Sequence, residues 1–241
     1  MLQNYLKIAL RNLRKQSGYA LINIFGLAVG IAFCALIFLF IRDELNYDQF
    51  HEQGDRIHRV LMIRYALDGT SSNGTNHSIP LGPTLQQDIP EIENYTRFRR
   101  LRHYVRSTGE ALEETVLYAD PSIFDVFSFP LIQGNPATAL SDLNAVVLSE
   151  KAARTYFGDE DPIGKTLQIR FEQSFEDVVV TAVAKNVPGN STIRFNILLP
   201  VEKIISTRYR ERLDSWSFVA FQTYVQLAKQ ADLDWPLGDA I

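Results

Sequence analysis

Gly158-Asp159-Glu160-Asp161-Pro162-Ile163-Gly164-Lys165-Thr166 ends in the Gly-Lys-Thr of a phosphate-binding loop. Such a loop separates its two glycines by four residues, so that successive backbone N–H groups close around the phosphates while the lysine reaches the terminal ones. Here five residues intervene, three of them carboxylates that repel a triphosphate, and Pro162 removes one donor. The flanks are reversed as well. Residues 148–157 read as a helix and Thr166–Phe171 as a strand, whereas a nucleotide loop runs from strand to helix. The stretch is read as a solvated helix-to-strand turn, and any ATP this protein uses is expected on another chain.

Other constellations are sparse. His51-Glu52 opens like a zinc-protease motif, but Asp55 stands where the second histidine belongs, and His58, His77 and His103 complete no ligand set. There is no Gly-x-Ser-x-Gly elbow. Cys34, the one cysteine, sits in an apolar run, which rules out an intrachain disulfide. No catalytic residue, metal or cofactor is therefore expected. Residues 97–106 interleave Arg97, Arg99, Arg100, Arg102 and Arg106 with Phe98, His103 and Tyr104, a mixture that nucleic-acid binders use. The acidic surroundings and an outside location, derived next, argue against nucleic acid. Two readings remain: a strand whose arginines are solvated or salt-bridged, or a site for lipid phosphate, an anionic substrate or an acidic partner.

The elements that must carry these residues fall into two environments. The chain has 241 residues, 46% of them hydrophobic, enough for a packed core, and its net charge of −4 is unevenly spread. Residues 1–41 contain Lys7, Arg11, Arg14 and Lys15 and no acid; residues 42–241 hold the other 20 basic residues and all 28 acidic ones, a net of −8. Residues 20–41 carry no charge, and as a helix they extend about 33 Å, the reach of a bilayer core. The run ends directly in Arg42-Asp43-Glu44 with no small-x-small cleavage site, so it is expected to stay as an anchor. The basic flank before it places the N-terminus in the cytoplasm and residues 42–241 outside, by the positive-inside rule.

Before the span, residues 1–18 carry Leu6 and Leu10 on one helical face and Lys7, Arg11 and Arg14 on the other, the pattern of a helix lying on the cytoplasmic membrane surface; an unstructured basic flank that only sets topology is the alternative. Within the span Gly26 and Gly30 are spaced as a helix-packing face, and Asn23 is placed to hydrogen-bond across it; chance glycines and an interfacial asparagine are the alternative. Beyond the span the pattern is α+β. Strands are predicted at 57–66, 95–106, 115–119, 166–171, 178–184, 195–199 and 218–227, helices at 81–88, 148–157 and 201–213, and a loop at 68–76. The sequons at Asn73, Asn76, Asn94 and Asn190 matter only in a eukaryotic secretory pathway.

Several segments together resemble a known family. NYLKIALRNLRKQSGYALINIFGLAVGIA at the start, YDQFHEQGDRIHRV at 47–60, FDVFSFPLIQGNPATALSDLNAVVLSEKAARTYFGDEDPIGKTLQI at 124–169 and VTAVAKNVPGNSTIRFNILLP at 180–200 are similar, in the same order, to MacB-like and FtsX-like permeases of bacterial ABC transporters, especially the long permeases common in Bacteroidetes. The resemblance implies a permease subunit of the inner membrane with a two-lobed periplasmic core domain. One lobe would be membrane-near and the other inserted at roughly 134–191. It also implies a separate cytoplasmic ATPase, a homodimer or heterodimer of permeases, periplasmic partner proteins, and efflux of a substrate or release of a lipoprotein without an enzymatic step in this chain. Leu6, Leu10, Arg11 and Arg14 would then sit near the ATPase, and Gly26 and Gly30 in the packed span.

The family has further spans after the periplasmic domain, and no second apolar run of that length follows Ile41, so the expectation is a truncated product or a fragment. The competing reading is a single-span anchored binding or sensor domain, with an anchored extracellular enzyme a distant third.

Overall fold

The structure is a computed structural model that describes Asn4, Ile8, Arg11, residues 14–66 and 68–229, and Ala231. It divides into two units, Met1–Tyr47 and Asp48–Ile241. In the first, α1 spans Ser17–Leu45, about 44 Å of helix in which no residue is buried, so its leucines, isoleucines and phenylalanines are exposed on every side. A helix apolar all round finds its burial outside its own chain, and α1 is long and apolar enough to cross a membrane. It ends where the Asn46 side chain donates to the Arg42 carbonyl (2.8 Å), supplying a partner to an otherwise orphan C-terminal group. Arg11 and Arg14 are helical and exposed; Leu6, Lys7 and Leu10 lie outside the described residues.

The second unit is built on a ten-stranded sheet. Its elements follow in order: β1 (Ile57–Arg59), β2 (Met62–Tyr65), β3 (Ser71–Gly74), β4 (His77–Ser78), α2 (Leu81–Asp88), β5 (Ile92–Arg106), β6 (Leu112–Ala119), α3 (Ile123–Val126), β7 (Leu131–Gln133), β8 (Ala145–Ser149), α4 (Glu150–Phe157), β9 (Thr166–Phe171), β10 (Ser174–Ala184), β11 (Ile197–Pro200), α5 (Val201–Arg208) and β12 (Val219–Leu227). Six strands close on themselves in the order β5-β6-β11-β8-β10-β9, because β9 pairs with both β10 and β5. The strands β12, β1 and β4 extend the sheet from β5, and β7 extends it from β10. Segment 134–191 thus contributes β8, β9 and β10 to the same sheet as the flanking segments.

Side chains alternate across a strand, and that alternation separates two cores. Val116 and Tyr118, Val146 and Leu148, Ile197 and Leu199 join Leu167 and Ile169 in a cluster drawn from all six strands of the ring and from α4 and α5. Their sequence neighbours Leu117, Val147 and Leu198 face the other way and meet α3, Phe127 and Phe129. In β10 the parity flips: Val178 and Val180 belong to the first core, Ala182 and Ala184 to the second. The cause is a bulge against β8 between Val180 and Ala182, where Thr181 is the extra residue and its hydroxyl donates to the carbonyl of Ala139 (2.6 Å). Gly134 closes the far side of this bulge at φ +92°, where a Cβ would lie 2.6 Å from the Thr181 carbonyl, so no other residue fits.

Four local expectations are corrected. The strand expected over 57–66 breaks after Arg59, because β1 follows β12 while β2 turns away to pair with β3. The loop expected over 68–76 contains β3, the second arm of that hairpin. The helix expected from residue 148 starts at Glu150: Ala145–Ser149 is the buried strand β8, and Ser149 accepts the Ala152 N–H as an N-cap. The helix expected over 201–213 stops at Arg208 and continues only as a 3₁₀ turn.

One buried charge pair ties the sheet extension to the ring. Asp120, just beyond β6, accepts from the Arg97 backbone N–H (2.7 Å), Nε (2.9 Å) and Nη2 (2.6 Å), while Arg97 Nη1 donates to the Ile79 carbonyl (3.0 Å). The two side chains are 5% and 7% exposed, and without Asp120 the buried guanidinium keeps only the longer ion pair to Glu202 (3.4 Å) among the described residues. Asp120→Asn is expected to destabilise the domain by about 3–5 kcal/mol, read as a lowered denaturation midpoint, and Arg97→Met with Asp120→Leu to restore much of the loss.

Acid stability follows from the histidines. His51, His58, His77 and His103 all have pKa values lowered by burial. Below the ordinary imidazole value of about 6.5 the unfolded chain takes up protons that the folded one refuses, so stability falls as pH drops from there towards the folded values. Glu202, whose pKa burial raises, works in the opposite sense. The midpoint of thermal unfolding is expected to be lower at pH 5.5 than at pH 7.5, and His77→Gln to shrink that difference.

Candidate functional site

The arginines that the sequence placed together are separated by the pleat of β5. Arg97 and Arg99 point to one face, Arg100, Arg102 and Arg106 to the other. Arg97 is locked to Asp120, as described. Arg99 donates to the Ala220 carbonyl (2.6 Å) and lies over the rings of Tyr209 (5.2 Å) and Phe221 (5.8 Å). These two are structural. Arg106 donates to Gln168 (2.9 Å) across the β5–β9 seam and stacks over Phe175 at 4.2 Å. Arg100 donates to the Thr192 carbonyl (3.2 Å), and Arg102 stands 3.8 Å from Glu113 with both side chains more than half exposed. Of the five, only Arg100 and Arg102 present a largely free cationic head to solvent.

The turn at 158–166 has the form read from the sequence. Gly158 takes φ +64° to end α4, Asp161 accepts the Ile163 N–H (3.2 Å), and Gly164 donates to the Val180 carbonyl (2.8 Å). Lys165 is paired with Glu160. An occupied lysine beside carboxylates offers no phosphate cradle.

The histidines are spread through the domain. His51 is buried with its Nδ1 accepting the Ser128 N–H (3.1 Å) and its ring edge-on to Phe127 and Phe129. His77 is 3% exposed beside β12. Among the described residues no three His, Cys, Asp or Glu side chains are grouped to hold a metal ion.

One cleft of about 740 Å³ opens where β5, the β9–β10 turn and α5 meet, lined among others by Leu101, His103, Tyr118, Phe171, Ile204 and Arg208. His103 sits at its apex. Its Nδ1 is 2.9 Å from the Arg170 carbonyl, which only accepts, so Nδ1 carries the proton and Nε2 accepts from the Tyr118 hydroxyl at 2.9 Å. Burial holds the His103 pKa below the ordinary imidazole range, the Arg170 hydrogen bond opposes this, and the Arg208 guanidinium reinforces it. Burial also raises the Tyr118 pKa. At the cleft wall Glu176 is neutralised by Lys203 Nζ (2.8 Å), which also donates to Asn144 (2.8 Å). The cleft therefore joins a hydrogen-bonded His103–Tyr118 pair to the apolar side chains of Leu101, Phe171 and Ile204, with Arg208 beside them. The sequence carried no sign of it, because its residues come from segments up to about a hundred positions apart.

In α1, Asn23, Gly26 and Gly30 are exposed, and a Cβ on either glycine would meet nothing within 4 Å. Among the described residues nothing covers the flat surface they form.

Comparison with solved structures places the sheet domain among transporter domains. A domain of a protein provisionally described as a permease, from Porphyromonas gingivalis, superposes with a TM-score of 0.65 at 26% identity, over 75% of this chain and 76% of that one. The periplasmic region of MacB from Actinobacillus actinomycetemcomitans shares the fold, with a TM-score of 0.54 at 17% identity, over 75% and 78% of the two chains. So does the extracellular domain of the noncanonic ABC-type transporter YknZ from Gram-positive bacteria, with a TM-score of 0.51 at 15% identity, over 72% and 84%. No curated protein matches the sequence. The model of the MacB-like periplasmic core domain matches residues 20–234, from inside the apolar helix to beyond β12, and so this chain belongs to the MacB-like periplasmic core domain family of ABC transporter permeases.

Proposed function

We propose that this chain is the membrane-anchored periplasmic part of a permease that converts ATP hydrolysis on a separate cytoplasmic subunit into movement of the sheet domain, for efflux of a substrate or release of a lipoprotein. The family match across residues 20–234 carries the reading, since it joins the apolar helix and the sheet domain in one family unit. The basic flank, with Arg11 and Arg14 exposed on helical residues, supports a cytoplasmic N-terminus and contact with anionic headgroups and the ATPase. Lys165, engaged by Glu160 in the turn at 158–166, supports ATP binding on the partner and none here. No metal or cofactor enters the proposed cycle. The reaction class is mechanical: the chain contributes rigidity and binding surface, and the partner contributes the chemistry.

The vacant glycine surface of α1 supports association of two permease chains through the span, as a homodimer or heterodimer. Two helices approach closely where Cβ atoms are missing, and dispersion between their backbones holds them together in lipid. A Cβ at Gly26 or Gly30 meets no described atom of this chain within 4 Å, so isoleucine at these positions is directed at the face a neighbouring helix would use. The double variant is expected to weaken self-association in bilayers by on the order of 1 kcal/mol per glycine. Energy transfer between labelled chains reads this, with the circular dichroism of the sheet domain unchanged. Unaltered association would remove the span from the interface. Orientation is tested with Asp159→Cys and a membrane-impermeant maleimide: labelling in right-side-out but not inverted vesicles is the expected result, and the reverse overturns the proposal. Coupling is tested by whether co-reconstituted chain changes the rate of ATP hydrolysis by the ATPase that copurifies with it.

A further inference from the structure

Strand β5 has two edges, and one of them is incompletely covered. On the first, β6 pairs from Phe98 to Val105. On the second, β12 pairs over 92–98 and β9 pairs only with Val105 and Arg106. Both Phe98 and Val105 are shared with β6, so β12 and β9 lie on the same second edge. Among the described residues, no strand pairs with residues 99–104 on that edge. Exposure follows the gap: Phe98 and Val105 are 1% and 0% exposed, whereas Tyr104 is 45% exposed and Arg100 and Arg102 are exposed as well.

A strand edge left open displays main-chain N–H and C=O groups at ladder spacing, a template for another strand. The gap faces the 740 Å³ cleft, with α5 beside it. At its β9 end the ladder stops because the His103 ring, and not a backbone N–H, meets the Arg170 carbonyl (2.9 Å).

We propose that this window accepts a short extended peptide from a partner protein as an added strand, one in which apolar residues alternate with acidic ones. The window takes an extended segment of about 20 Å. The pleat dictates the alternation. Residues of the added strand on the inner side meet Leu101, Phe171 and Ile204, and those on the outer side come alongside Arg100 and Arg102. The present contacts of these arginines, one backbone acceptor at 3.2 Å and one exposed ion pair at 3.8 Å, are weak enough to be exchanged for a new carboxylate. Main-chain hydrogen bonds would supply affinity, and the alternating side chains would supply selection. This rests on the sheet pairing, the cleft lining and the two exposed arginines, and stands apart from the transporter reading.

The experiment uses the full chain in lipid nanodiscs, with empty discs as the blank, and a fluorescent peptide of alternating valine and glutamate, about eight residues long. Saturable binding is expected, with slower hydrogen exchange of the amides at 99–104. A fully N-methylated copy, which cannot donate to the ladder, and a valine–lysine peptide are each expected to bind at least roughly tenfold more weakly. Arg100→Glu with Arg102→Glu is expected to invert the preference between the glutamate and lysine peptides. Absence of saturable binding, equal binding of the N-methylated copy, or equal binding of the two charge types would each overturn the proposal. The N-methyl comparison uses the unaltered chain, so it decides the matter even where the double variant misfolds.

Discussion

The sheet domain depends on one strand serving both the closed ring and its extension within a single sheet. At 15 residues, β5 exceeds the usual strand length, and its second edge is held by β12 at the start and by β9 at the end. A strand of that length carries the ordinary right-handed twist far enough to change direction, so neighbours aligned with its first half diverge from its second. The sheet extension (β12, β1, β4) and the closed ring (β6, β11, β8, β10, β9) are therefore joined through β5 without either being interrupted. The uncovered window at 99–104 is the geometric cost of that handover, and the cleft forms beside it.

Closing the ring needs local devices that a uniform strand pattern lacks. The extra residue Thr181 turns β10 so that its first half faces the ring interior and its second half faces α3 and β7. Gly134 lets β7 lie against that bulge where any Cβ would collide with backbone. At the handover itself, Arg97 and Asp120 fix β5 against the end of β6 through three hydrogen bonds to one carboxylate. Directional bonds of this kind specify one alignment where hydrophobic packing alone would accept several. Because the pair is desolvated, its energetic weight lies in the penalty for breaking it.

How much of this the sequence revealed depended on the range of the interaction behind each feature. The apolar helix was legible because its cause is composition: an uncharged run of sufficient length reads the same in any context. The bounds of α2 and β9 were read correctly, each being flanked by local punctuation such as Pro90 and the turn at 158–166. Strand β8 was not seen, because AVVL buried on both faces has no alternation and abuts the helical residues of α4; only the cap at Ser149, a local signal, marked the boundary. The β2–β3 hairpin was hidden by a polar Ser-Ser-Asn-Gly arm that has turn composition and strand geometry. The arginine run was visible as a patch, but pleating divides it, and Arg97 finds Asp120 only once β6 folds back. The cleft was beyond reach for the same reason: His103, Tyr118, Phe171 and Ile204 are brought together by pairings that no single segment encodes.

Covalent connectivity fixes where the chain from α1 joins the sheet domain. The chain leaving α1 reaches the second unit at Asp48, a left-handed residue at φ +56° whose N–H donates to the Asn190 carbonyl (2.9 Å) and whose carboxylate accepts the Thr192 N–H (2.8 Å). The entry residue is thus tied to the 190–192 segment. That segment leads through the buried Ile193 and Phe195 into β11, which sits between β6 and β8 in the ring. Packed interiors transmit strain because they have little free volume to absorb it. The same segment supplies the Thr192 carbonyl to which Arg100, at the rim of the open window, donates. The residue at which the chain enters the domain and the rim of the β5 edge therefore share one short stretch of chain.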